Sequence, residues 1–80
     1  MVKWEKPIDD RFIKAVKNYR EIFKWEKRYF LFEKERGYAP YGLACSDNIK
    51  DFQEYEEDKR FVYDSLENKV ISLEELKKAD

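Results

Sequence analysis

Eighty residues give room for one compact domain, and a chain of that size hides only about two-thirds of its unfolded surface, so it needs dense packing, a cross-link, a metal or a partner. Cys45 is the single cysteine and there is no histidine, which rules out an intrachain disulfide and leaves no basis for a zinc site or a histidine-based catalytic triad. Charged residues make up 44% of the chain yet sum to a net charge of −1, so the total supplies no general attraction to nucleic acid or to an anionic membrane.

Aromatic residues reach 18%, while Gly and Pro number two each, a composition rich in core material and poor in helix breakers. It predicts helices. No apolar run approaches the roughly 18 residues of a membrane span, and the start of the chain, with Trp4, Glu5 and Pro7, lacks the apolar stretch of a signal peptide. A cytoplasmic protein with a reduced thiol is expected. Charge is unevenly placed: residues 1–37 carry 11 Lys/Arg against 7 Asp/Glu (+4), and residues 38–80 carry 6 against 11 (−5). The two halves therefore have complementary signs.

The first helix is expected to open at Asp9 or Asp10, just after Pro7, because an acidic side chain satisfies free N–H groups and favours the positive end of the helix dipole. Phe12, Val16, Tyr19, Phe23 and Phe30 recur at helical spacing as a core-facing stripe, widened by Ile22, Trp25 and Tyr29, and Gly37 is the expected stop. The consecutive apolar run Tyr29–Phe30–Leu31–Phe32 also fits a short strand, which periodicity alone does not distinguish. Residues 37–45, which hold both glycines and the second proline, read as the connection between halves, with Tyr38, Tyr41 and Leu43 folding back over the core or meeting a partner.

A second helix is expected from a Ser46 or Asp47 cap, with Phe52, Tyr55, Val62, Tyr63 and Leu66 on one face, Asp47, Asp51, Glu54 and Asp58 on the other, and Asn68 as its stop. Ser72 and Glu75 form a capping box, with Ile71 and Leu76 as the accompanying hydrophobic staple, and this predicts a third helix over about residues 73–79. The expected fold is therefore all-α, a long helical hairpin plus a short C-terminal helix within one domain, residues 1–80. The alternative is α+β with a short hairpin around residues 28–44.

Four patterns bear on function. The stretch from Asp64 to Glu75 has the length of a calcium-binding loop, but Leu66 stands at its third position and Lys69 where glycine is needed, so no metal is expected. Lys17, Arg20, Lys24, Lys27 and Arg28 form a basic strip on the first helix suited to phosphate contacts, interrupted by Glu21. The acidic strip on the second helix offers a weaker resemblance to a phosphate backbone. Cys45 lies before a helix start, but without histidine the base that would activate it is missing, so the reading is a buried thiol and no enzyme, with no cofactor.

A fifth pattern, the surplus of apolar surface, carries the functional expectation. On two helices and a short third, Ile13, Trp25, Leu31, Phe32 and Phe61 fall outside the main stripes, and some of that surface would have to be covered by another molecule. The chain is accordingly read as a small protein–protein interaction module, an adaptor, regulator or inhibitor, pairing with a protein partner or with itself as a four-helix bundle. Trp25, Phe32, Tyr38, Tyr41 and Phe61 are the expected contacts. A nucleic-acid-binding regulator using the basic strip is the alternative.

Overall fold

The aromatic run after the first helix is a strand. The computed structural model describes residues 4–6, 10–33 and 41–78. Helix α1 (Asp10–Ile22) is followed by strands β1 (Tyr29–Glu33) and β2 (Tyr41–Ser46), a 3-10 helix (Ile49–Glu54), strands β3 (Arg60–Asp64) and β4 (Lys69–Ser72), and a short helix α2 (Leu73–Lys78). The four strands form one antiparallel sheet in the order β2-β1-β3-β4. The fold is α+β, and neither the all-α hairpin nor a helical bundle forms.

Covering both sheet faces explains why β3 and β4 do not read as strands, and why the apolar run of β1 fits a helix as well as the strand of the α+β alternative, which is closer to the fold. Phe30, Phe32 and Tyr63 pack with Ala15 and Val16 of α1, whereas Leu31, Val62 and Ile71 pack on the other face with Phe52 of the 3-10 helix and Leu73 and Leu76 of α2. A strand buried on both sides keeps apolar residues at successive positions, so its sequence loses the alternation that marks a half-buried strand. Phe30 lies on the helical stripe only by coincidence: it belongs to β1 and meets α1 from below.

Helix α1 ends fifteen residues before Gly37, at Ile22. Lys24 supplies the left-handed turn in place of a glycine, with φ of 60°, and the N–H groups of Phe23 and Trp25 both donate to the Tyr19 carbonyl, at 3.0 and 3.2 Å. The expected second helix dissolves into four pieces. Asn48, rather than Ser46 or Asp47, caps the 3-10 helix, its side-chain oxygen accepting the Lys50 N–H at 3.1 Å. Val62 and Tyr63 are buried on opposite faces of β3. The β3–β4 turn, Ser65–Asn68, is held by Asp64, whose Oδ1 accepts the N–H groups of Leu66 at 3.0 Å and Glu67 at 3.4 Å. Asn68 sits there with φ of 52°, a turn residue and not a helix stop.

The helix start at Asp10 and the third helix appear where the sequence puts them. Ser72 Oγ accepts the Glu75 N–H at 3.1 Å, and Ile71 and Leu76 share one core cluster. Asp9, Gly37 and Tyr38 lie outside the described residues.

Candidate functional site

Chemistry-bearing side chains are mostly occupied by the fold itself. Asp64 is fully buried, and the Arg28 guanidinium grips it at both oxygens, Nε to Oδ1 at 2.9 Å and Nη2 to Oδ2 at 2.8 Å. Burial pushes the Asp64 carboxyl up, but the Arg28 bond and the turn N–H groups outweigh it and hold the acid below its ordinary range, while the same bond raises Arg28. With Asp64 taken up this way, and with β4 between it and Glu75, the calcium loop does not form; among the described residues no group of three His, Cys, Asp or Glu side chains is placed to hold a metal. Burial raises the Cys45 thiol, only partly offset by Lys27, so the sulfur stays protonated near neutrality.

The basic strip is likewise divided. Arg20 donates to Ser65 Oγ at 2.6 Å and lies over the Phe30 ring, Lys27 pairs with Asp47 at 3.6 Å, and Arg28 serves Asp64 and Glu67. Lys17 and Lys24 remain exposed at separate places, one on the helix and one in its terminal turn. The charge asymmetry of the sequence becomes a difference between the two layers: residues 10–28 on the α1 side carry 7 basic against 3 acidic side chains, and residues 47–58 on the opposite side carry 1 against 6.

Of the expected contact residues, Phe32 is fully buried in the core, Phe61 is half-buried and stacks on it at 5.8 Å, and Trp25 is half-buried, stacked on Tyr19 at 4.6 Å. Tyr41 is the one of these, among the described residues, that is well exposed. The sheet shelters Leu31, Phe32 and Phe61, which two helices had no place for, so the premise of a large uncovered aromatic surface fails. Among the described residues the large apolar side chains left outside are Leu66, 74% exposed in the β3–β4 turn, Ile13 at 39% on α1, Ile22 at 67% and Phe23 at 59% at the end of α1, and Tyr41 at 53% on β2.

Phe23 reaches β2 through Tyr19, and Tyr41 is part of that strand. The Tyr19 ring lies directly on Gly42, where a Cβ would come within 2.7 Å of it, and Phe23 packs against Tyr19 with ring centroids 5.2 Å apart. The Tyr19 hydroxyl accepts the Gly42 N–H at 2.8 Å. The end of α1 is thereby fastened over β2, and Phe23 stands beside the strand that forms the sheet's margin.

Hydrogen-bond alternation tells which backbone groups that margin presents. The Arg28 carbonyl accepts the Ser65 N–H at 3.0 Å, so Phe30 and Phe32 turn their backbone groups to β3, while Tyr29 and Leu31 turn theirs to β2. Extended to β4, the alternation turns Val70 outward, and Val70 does exchange two bonds with Glu5, at 2.8 and 2.6 Å. Extended to β2, it turns Cys45 outward and, past the unmatched Leu43, Gly42 as well. Tyr19 satisfies the Gly42 N–H; Cys45 has no strand beyond it among the described residues.

Sequence reasoning placed Phe23 in the core and Ile22 on its flank. Nothing in the local composition announces that the helix stops at Ile22, because a lysine takes the left-handed position usually signalled by glycine or asparagine. No protein-family model, curated protein or solved structure matches this chain, so the functional reading rests on its own geometry. No helix among the described residues is long and apolar enough to cross a membrane.

Proposed function

We propose that the chain is a small protein–protein interaction module whose contact surface is the outer side of β2 together with Ile22, Phe23 and Tyr41. The observation that carries this reading is an uncharged marginal strand joined through Tyr19 to the exposed apolar end of the first helix, Ile22 and the following Phe23. An edge strand offers backbone donors and acceptors, and flanking apolar groups add the burial that makes strand addition a working recognition mode. The nucleic-acid reading is weaker on this fold, because Arg20, Lys27 and Arg28 are engaged with groups of the chain itself. An enzymatic reading has a protonated thiol and a carboxylate held by arginine to work with, neither of which is poised for catalysis.

A photo-crosslinking amino acid at Phe23 tests the reading, with the same group at Leu66 as control, since Leu66 is exposed but lies in the β3–β4 turn. Position 23 is expected to link to a polypeptide, either a second copy or another protein, and position 66 to link to none. Equal capture at both positions, or capture at neither, would remove the proposal.

A further inference from the structure

We infer that the occupant of this surface is a second copy of the chain, paired antiparallel through β2 about a twofold axis at Cys45 so that the sheet continues across both copies. This rests on the reading of the surface as a protein contact and adds the identity of the partner.

The hydrogen-bond alternation supplies the register. In a twofold antiparallel pair the residue on the axis meets its own copy, and it must be one whose N–H and C=O both point outward. Cys45 is that residue in the regular part of β2, the part paired with Tyr29, Phe30 and Leu31. Its N–H and C=O would exchange with those of Cys45 in the second copy, and Ala44 would stand opposite Ser46.

Charge permits self-pairing. From Tyr41 to Ser46 the strand carries no charged side chain, and the charges nearest Cys45, Lys27 and Asp47, pair with each other at 3.6 Å, so its own copy meets no net charge at the axis. Charged edges are how sheets ordinarily repel such pairing. The two margins of this sheet differ accordingly: β4 carries Lys69 and has its outward Val70 closed by Glu5, whereas β2 is uncharged and uncovered among the described residues.

The apolar side chains lie where the pairing needs them. Leu43 and the Tyr19–Gly42 bond confine regular pairing to the Ala44–Ser46 end, so backbone bonds alone make a short contact. Ile22 is about 200° around α1 from Arg20, which reaches toward Ser65 in the β3–β4 turn, so Ile22 belongs to the flank on the β2 side. Twofold pairing within the sheet puts the two α1 helices on the same face, with Ile22 and Phe23 of each copy beside the junction.

Sedimentation velocity over a wide concentration series tests the inference on the intact chain. Wild type is expected to form a dimer. Cys45→Pro removes the outward N–H and no bond within the sheet, and should weaken the dimer about tenfold or more. The double substitution Ile22→Lys and Phe23→Lys, at positions mostly in solvent, should weaken it comparably while keeping the native circular dichroism, with at most a small drop in melting temperature from the lost Phe23–Tyr19 ring contact, and it decides the matter if Cys45→Pro fails to fold. A chain that stays monomeric at every concentration, or a dimer indifferent to the Ile22/Phe23 pair, overturns the inference. A monomer whose position 23 links to a strand of another protein overturns this inference and leaves the module reading standing; a monomer whose position 23 links to nothing ends both.

Discussion

Tyr19 holds the Gly42 N–H at 2.8 Å with its hydroxyl while its ring occupies the space a side chain at residue 42 would fill. Helix and strand are thus joined by a polar bond and a steric fit at one point. Gly42→Ala is expected to destabilise the fold by roughly 1–3 kcal/mol, because the added carbon meets both Tyr19 and Trp25 at 3.0 Å or less. Tyr19→Phe should cost about 1 kcal/mol, the hydrogen bond alone. Urea unfolding measures both, and an alanine at 42 that is silent would mean the ring does not rest there.

Lys24 has φ of 60°, where a Cβ is disfavoured. Lys24→Gly should therefore stabilise the chain by roughly 0.5–1 kcal/mol, although glycine also loosens the unfolded state. Lys24→Ala, which keeps the Cβ, should change little. If alanine and glycine raise the melting temperature equally, the backbone conformation is not the cause.

The Asp64 carboxyl is held below its ordinary 3.8 by Arg28 and the turn amides, against the upward push of burial. Its contribution to stability is present in full above the pKa of the unfolded chain. As pH falls, the unfolded chain takes up its proton first, and the contribution disappears as pH drops through the lower folded value. Asp64→Asn should flatten this part of the acid limb of a stability profile. Asp64→Ala should cost roughly 2–3 kcal/mol, less than a fully enclosed pair because the Arg28 side reaches solvent.

Lys17 and Lys24 are the members of the basic strip whose side chains are not tied to carboxylates or to the β3–β4 turn. Reversing both to glutamate should leave retention on DNA unchanged near physiological salt. A loss of retention that steepens with salt would revive a nucleic-acid role.

Local chemistry was legible in the sequence where a side chain acts on its own backbone. Ser72 and Glu75 announced α2, and Asp10 opens α1 as its charge suggests. Tertiary covering was not legible. Phe30, Leu31 and Phe32 are apolar in succession because helices lie on both sheet faces, a fact that no window of the sequence contains. The candidate surface was missed for a related reason: Tyr41 was named, but nothing in the sequence shows that the helix stops at Ile22, with Lys24 in a left-handed turn, and leaves Ile22 and Phe23 exposed. Phe32 and Phe61 looked surplus until β1 and β3 came together.

The central position of β1 also sets how this chain must come together in time. Strands β3 and β4 are neighbours in sequence and close through a four-residue turn, but β1 reaches β3 only after about thirty intervening residues are drawn in, a loop closure whose entropy must be met before its contacts form. Strands β1 and β2 are likewise neighbours in sequence, so joining β1 to β3 is the step expected to limit folding, and substitutions in β1 should act on the folding rate more strongly than those in α1.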